Sequence, residues 1–345
     1  MKIKGIPISK SDKPFIIAEM SANHNGSYED AVKLIDKAKI SGASAVKLQT
    51  YTPDTITFNS SNEEFKISGG IWDGRTLYDL YEEAHTPWDW HEGLFDYANK
   101  IGIVLFSSPF DETAIELLER LDCPAYKIAS FEAIDHQLIA SAASTGKPLV
   151  ISTGMANLDE ISAAVNCARQ NGCKDLALLH CVSSYPASPD EYNLSTLNDI
   201  SNRFDCEVGL SDHTLDNTTA ITSIGFGATI IEKHFTLNRS RGGPDDSFSL
   251  EPKELSLLVK NSEIAWRSIG KVNYDLTNGE KGNIKFRRSL YIIKDIKKGE
   301  KLTNDIVKSI RPGYGLSPKF YNDIIGKRVN KNLFAPHALN KDDIE

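Results

Sequence analysis

The segment "TIIEKHF" (229–235) closes an apolar run with three ionisable residues, Glu232, Lys233 and His234. Seven other short β-rich runs end the same way: "FIIAEM" (15–20), "AVKLQT" (45–50), "IVLFSSP" (103–109), "AYKIAS" (125–130), "PLVISTG" (148–154), "LALLHCVSS" (176–184) and "EVGLSD" (207–212). Their polar ends, at or just past the run, supply Glu19, Lys47, Gln49, Ser107, Ser108, Lys127, Ser130, Ser152, Ser183, Asp212 and His213. By type these groups sort into three chemistries. Lys47 and Lys127, with the hydroxyls of Ser108, Ser130, Ser152 and Ser211, suit an anion cradle for a phosphorylated substrate. His213 and His234 end consecutive runs, so their imidazoles can converge on one divalent cation. With oxygen ligands or water completing the shell and no cysteine nearby, Mn²⁺ or Mg²⁺ fits better than zinc. Glu19 and Glu132 remain to hydrogen-bond a polyol or move a proton.

A single polar strand end needs no more explanation than solubility, and a lone histidine is more often structural. Eight of eight is different, because folding gains nothing from lysines inside β-rich runs, where an unpaired buried ammonium is costly. On this reading Glu232, Lys233 and His234 all reach one shared polar site.

The positioning elements follow from periodicity. Amphipathic helical spacing succeeds the runs, as in "YEDAVKLIDKAKISG", "DETAIELLERL" and "LDEISAAVNCARQNG", and Gly42, Gly102, Gly146 and Gly172 fall where helix C-caps belong. Eight β-then-α units predict a (β/α)8 TIM barrel over residues 1–270, whose active site forms at the C-terminal ends of the strands. No GxGxxG follows a strand, which excludes the dinucleotide-binding alternative. A long insertion after the second run is expected to cover the barrel mouth. Residues 271–283 are polar and read as a linker. Residues 284–345, with short strands and Gly turns, read as a small second domain.

Composition sets the outer bounds. The chain has 345 residues, 40% hydrophobic and 25% charged, with a formal net charge of −8. That balance argues against nucleic acid as a partner. The five cysteines show neither CxxC nor zinc spacing. With no signal-like h-region and no apolar stretch of spanning length, the expectation is a cytoplasmic protein whose cysteines are buried small hydrophobes.

In order and spacing, "IIAEMSANHNGS", "AVKLQTYTPDT", "YKIASFE", "ISTGMA", "HCVSSYP", "VGLSDHT" and "IEKHFTL" resemble the sialic acid synthase family. The C-terminal "SLYIIKDIKKGE…IRPGYGLSP" resembles that family's antifreeze-like (SAF) domain. The resemblance implies condensation of phosphoenolpyruvate with an open-chain amino sugar to give a nonulosonic acid and phosphate. It places phosphoenolpyruvate near Lys47, Lys127, Ser108, Ser130, Ser152, Ser183, Tyr185 and Ser211, and a Mn²⁺, Mg²⁺ or Co²⁺ ion on His213 and His234. It sets Glu19, Gln49, Glu132, Asp245 and Arg311 against the sugar or a reacting water. It also implies a domain-swapped homodimer in which Arg311 serves the partner's barrel. Within the family, "SANHNG", "GGIWDGRTLYDLYEEAHTPWDWH" and "FSSPFD" are most similar to the branch that forms pseudaminic acid from a 6-deoxy diacetamido altrose. The branches forming N-acetylneuraminate or legionaminate are the alternative. A 6-deoxy sugar calls for an apolar wall, for which Phe65, Ile71, Trp72 and Tyr78 of the insertion are the candidates. An ice- or carbohydrate-binding protein with a vestigial barrel is disfavoured by Lys297, Lys298, Glu300 and Lys301, which spoil a flat apolar face.

Overall fold

The computed structural model describes all 345 residues, which divide into two compact units, Met1–Gly270 and Lys271–Glu345. In the first unit a small antiparallel ladder (Lys2–Ile3 with Ile6–Pro7) precedes eight parallel strands that close into a barrel. The strands are β1 (Phe15–Glu19), β2 (Ala45–Thr50), β3 (Val104–Pro109), β4 (Tyr126–Ile128), β5 (Leu149–Ser152), β6 (Leu176–Cys181), β7 (Glu207–Ser211) and β8 (Ile230–His234). Each matches one of the runs read from the sequence. Three stop short of their polar ends, so Ser130, Ser183 and His213 lie just beyond β4, β6 and β7.

Closure fixes the register that matters for chemistry. β8 pairs with β1 from Ile230↔Phe15 through to His234↔Glu19, and with β7 up to Glu232↔Ser211. The charged end of the last strand is thereby laid beside the charged end of the first. At one point the curvature leaves room only for glycine. A Cβ on Gly209 of β7 would stand 2.4 Å from the Ile230 carbonyl oxygen and 2.6 Å from Leu179 Cδ2.

Helices alternate with the strands: α1 (Tyr28–Ser41), α2 (His91–Ile101), α3 (Glu112–Arg120), α4 (His136–Ser144), α5 (Leu158–Gln170), α6 (Thr196–Phe204), α7 (Thr218–Gly225) and α8 (Pro252–Ile269). Their boundaries are chemical. The Ser27 hydroxyl accepts from the Asp30 N–H at the start of α1, and Gly42 ends that helix in the left-handed region at φ 89°. Asn157 and Glu160 form a reciprocal capping box on α5, and Asp111 caps α3. The stripes facing the barrel, such as Ala31, Leu34, Ile35 and Ala38 of α1, are fully buried against strand residues including Ile16, Val46 and Leu48.

The insertion between β2 and α2 carries a short helix at Pro53–Ile56, a looped-back segment closed by a Lys66↔Thr76 bridge, and a helix at Leu77–Ala84 capped by Thr76. In the second unit β9 (Ser289–Ile292) lies between β10 (Val307–Ile310) and β11 (His337–Ala338) over a core of Leu290, Ile292, Leu302, Val329 and Leu339. Residues 271–288 are exposed throughout, and they hold Val272, Tyr274, Ile284 and Phe286 as well as polar groups. All five cysteines are free: Cys123, Cys173 and Cys181 are buried, whereas Cys167 and Cys206 are only half-buried. No helix is long and apolar enough to cross a membrane.

Candidate active site

Strand alternation decides which polar ends converge. Glu19, Lys47, Lys127 and Glu232 come from β1, β2, β4 and β8, and all four are almost wholly buried. Lys47 Nζ stands 2.8 Å from Glu19 Oε2 and 3.4 Å from Glu232 Oε1, and Lys127 Nζ is 3.9 Å from the same Glu232 oxygen. Two ammoniums and two carboxylates make the cluster formally neutral, which is what allows four charges inside one fold. Burial pushes the Lys47 ammonium down, but Glu19 and Glu232 more than restore it, so Lys47 is held above its ordinary value. Burial raises the Glu232 carboxyl, and Lys127 and Lys47 together carry it back below its usual range. Glu19 is the member left high, at about 7, because burial outweighs Lys47 while Glu232 adds repulsion.

The hydroxyls surround this cluster. Lys47 donates to Ser108 Oγ at 3.2 Å, and Ser211 Oγ donates to Glu232 Oε1 at 3.4 Å. Gln49 Nε2 donates to Glu19 Oε1 at 2.9 Å and to Ser21 Oγ at 3.1 Å. Ser183 Oγ donates to Ser130 Oγ at 2.8 Å. Gly154 makes that last pair fit: at φ +47°, a Cβ there would lie 2.4 Å from Ser130 Cβ and 2.7 Å from Ser183 Oγ. Four buried polar atoms at these strand ends have no protein partner: Glu132 Oε2, Ser152 Oγ, Glu232 Oε2 and His234 Nδ1. Native interiors seldom strand such groups, and a cluster of them marks a place built for a polar ligand. Burial also raises the Glu132 carboxyl to about 7, against the opposing pull of its own backbone N–H and of Lys127.

His213 and His234 stand with ring centroids 5.6 Å apart. His213 Nδ1 lies 2.7 Å from the Val182 carbonyl oxygen, an acceptor only, so Nδ1 carries the proton and Nε2 keeps its lone pair. Burial lowers the His213 imidazole to about 4 and also holds His234 well below its ordinary value, which keeps both neutral near pH 7. Asp245 Oδ2 is 3.7 Å from His234 Nδ1 and accepts from Ser21 Oγ. No group of three His, Cys, Asp or Glu side chains converges tightly enough to enclose an ion unaided. Two neutral imidazoles, one of them an orphaned buried nitrogen, nevertheless fit a cation whose remaining ligands are oxygens from substrate or water. Tyr185 lies against this pair, its ring centroid 4.3 Å from that of His213 and 6.0 Å from that of His234.

Lys233 departs from the sequence reading. Its neighbours Glu232 and His234 share one side of β8, and Lys233 turns to the other. There its ammonium meets Asp212 Oδ2 at 2.9 Å and the carbonyl oxygens of Thr214 and Asp216 at 2.7 and 2.6 Å. It braces the loop after β7 and does not enter the site, and Asp212 leaves the site with it. Conversely, Glu232 is the hub of the buried cluster, although the sequence reading gave it no separate role. Its i, i+2 relation to His234 was the available signal. Arg311 follows β10 in the second unit and is exposed.

A closed barrel with lysines, carboxylates and histidines gathered at its strand ends defines an enzyme of the (β/α)8 class that handles anionic substrates. The chain belongs to the NeuB family, which it matches over residues 34–274, and residues 287–345 match the SAF domain. It is 44% identical over 333 residues to the pseudaminic acid synthase of Campylobacter jejuni, covering 96% of this chain and 97% of that one. It is 43% identical over 334 residues to the pseudaminic acid synthase of Helicobacter pylori, covering 96% and 98%. Identity to the N,N'-diacetyllegionaminic acid synthase of Legionella pneumophila is 35% over 350 residues, covering 100% and 98%. The crystal structure of the N-acetylneuraminic acid synthetase from Leptospira borgpetersenii, in complex with citrate, superposes with a TM-score of 0.74 at 30% identity, covering 83% of this chain and 95% of that one.

Proposed function

We propose that the chain is a pseudaminic acid synthase. It condenses phosphoenolpyruvate with the open-chain form of 2,4-diacetamido-2,4,6-trideoxy-altropyranose and water, giving pseudaminic acid and phosphate. The observation that carries this reading is the buried Lys47–Glu19–Glu232–Lys127 cluster beside the His213–His234 pair. The similarity to pseudaminic acid synthases at 44% identity selects the sugar.

In this reading Lys47 and Lys127, with Ser108, Ser130, Ser152, Ser183, Tyr185 and Ser211, bind the phosphate and carboxylate of phosphoenolpyruvate. Glu19, Gln49 and Asp245 hold the sugar, and Arg311 contacts a polar group such as an acetamido oxygen. A divalent cation (Mn²⁺, Mg²⁺ or Co²⁺) on His213 and His234 would supply Lewis-acid polarisation of the sugar aldehyde. The C2=C3 π electrons of the enolpyruvate form the new bond from C3 to the aldehyde carbon as the C=O π bond opens, and the aldehyde oxygen takes a proton from solvent water. Cationic character then develops at C2, and water adds there. Glu132, held at about 7 and so partly ionised near neutrality, accepts the water's proton. The C2–O bond to phosphate breaks as the C2 hydroxyl becomes the keto group, its proton passing to the departing phosphate, which Lys47 and Lys127 stabilise.

Arg311 serves this chemistry as part of a domain-swapped homodimer, in which the terminal domain of one protomer approaches the barrel mouth of its partner. Large apolar side chains after β4, β5 and β7 favour that arrangement: Phe131, Ile134, Met155 and Leu215 are all more than half exposed. Mixing His234→Ala with Arg311→Ala under subunit exchange tests it. Activity returns if Arg311 acts in trans, because each heterodimer then has one intact site; a dead mixture containing heterodimers contradicts the swap.

The substrate is tested by offering phosphoenolpyruvate with a panel of mannosamine- and altrose-derived diacetamido sugars and weighing the product. The reading expects the 6-deoxy altrose sugar to be preferred. A clear preference for N-acetylmannosamine would assign the chain to the neuraminate branch.

A further inference from the structure

Of the four apolar candidates in the insertion, two are engaged within it and a third is turned partly to solvent. The Phe65 ring packs on Phe58 at 6.4 Å between centroids, the Tyr78 hydroxyl donates to Asp54 Oδ1 at 3.2 Å, and Ile71 is 45% exposed. Trp72 alone crosses to the barrel. Its Nε1–H donates to the Pro244 carbonyl oxygen at 3.0 Å, immediately before Asp245, and its ring centroid lies 5.7 Å from that of Tyr185. Phe248 completes the group, 5.3 Å from Tyr185 and 4.9 Å from His234. Glycines at φ 81° (Gly69), 74° (Gly70) and 83° (Gly74) give the loop the left-handed turns that bring Trp72 back against the strand ends.

We propose that Trp72, backed by Tyr185 and Phe248, is a specificity-determining residue that selects a sugar lacking the C6 hydroxyl. The proposal rests on the function argued above and names the side chain that enforces it.

Three physical points carry the assignment. The first is reach. Through Tyr185, the Trp72 ring is at most about 10 Å from the His213 ring. Five single bonds separate C1 from C6 of an open-chain sugar, a span of about 6 Å at ordinary bond lengths. With the aldehyde end at the His213–His234 pair, a chain extended along Tyr185 brings its C6 end within reach of the indole. The second is polarity. The acetamido groups at C2 and C4 need donors and acceptors, which Gln49, Asp245 and Ser21 offer; a C6 methyl needs none. The third is satisfaction. The one polar atom of Trp72 is already spent on Pro244, so a C6 hydroxyl pressed against the ring would find no partner there.

The test compares kcat/KM for the 6-deoxy sugar and for its 6-hydroxy counterpart in the wild type, Trp72→Ala and Trp72→Phe. An apolar wall rejects an added hydroxyl only moderately, so the wild type is expected to favour the deoxy sugar by about 10- to 100-fold. In Trp72→Ala that ratio falls to roughly threefold or less, mainly through loss of the deoxy sugar, with KM for phosphoenolpyruvate unchanged. Trp72→Phe keeps apolar surface and recovers most of the preference. A wild-type preference that persists unchanged in Trp72→Ala overturns this proposal alone. So does an equal loss for both sugars and phosphoenolpyruvate that Trp72→Phe fails to relieve, which marks a purely structural role. A wild type that favours the 6-hydroxy sugar overturns the assigned function, and this proposal with it.

Discussion

His213 Nδ1 donates to the Val182 carbonyl oxygen at 2.7 Å, which fixes the tautomer and leaves Nε2, 3.5 Å from Ser211 Oγ, as the ring's acceptor. A backbone partner of this kind is how proteins orient a metal-binding imidazole. His213→Ala and His234→Ala are each expected to weaken Mn²⁺ binding, read by calorimetry without substrates, by about 100-fold or more. Exhaustive chelation should abolish turnover, and Mn²⁺, Co²⁺ or Mg²⁺ should restore it. Unaltered Mn²⁺ affinity in both variants would take the histidines out of the metal site.

The proposed function gives Lys47 two jobs, anion binding and pairing with Glu19, which substitution can separate. Lys47→Met removes a charge aimed at phosphoenolpyruvate, and kcat/KM for that substrate should fall by about 10²–10³. It also strips Glu19 of its ion-pair partner, at a cost of about 3–5 kcal/mol in unfolding free energy. Adding Glu19→Gln to Lys47→Met should return much of the stability and none of the turnover. If the double variant regains turnover along with stability, the lysine is structural and the anion-binding role is wrong.

What could be read from the sequence was whatever repeats locally. The eight runs became the eight barrel strands because apolar β-rich stretches and helical spacing are short-range signals, and Gly42 and Gly102 ended their helices in the left-handed region as expected. The convergence of Lys47 and Lys127, and of His213 and His234, could be anticipated because a strand's polar end lies at the barrel mouth. Lys233 lies outside the site because alternate residues of a strand face opposite ways, so consecutive polar residues at a strand end cannot all enter it. The docking of Trp72 was not legible to the same degree. Its partners, Tyr185 and Pro244, lie far along the chain, and no periodicity records where a long insertion comes to rest.

His24 and His91 are buried beside Thr86 and Thr50, and burial lowers each to about 4. Below pH 6.5 the unfolded chain protonates these imidazoles while the folded chain does not until about pH 4. The unfolded state then binds more protons, so this contribution to stability is lost as pH falls through that window. Glu132, raised to about 7, acts in the opposite sense as pH falls from 7 to 4.5, so the informative quantity is a difference between proteins. Urea unfolding at pH 6.5 and pH 5 should show His91→Gln losing roughly 1–2 kcal/mol less than the wild type. Equal losses in the two proteins would mean that His91 is not buried in its neutral form.

In the proposed reaction the Lys47–Lys127 cradle releases phosphate by breaking the bond between C2 of the enolpyruvate and its ester oxygen, after water has added at C2. Turnover in ¹⁸O-water, with phosphoenolpyruvate and the 6-deoxy diacetamido sugar, tests it through the isotopic content of the released phosphate. C–O cleavage keeps all four original oxygens on phosphorus, so the phosphate should carry no ¹⁸O. Phosphate bearing one ¹⁸O would show that water attacks phosphorus, and would contradict the mechanism.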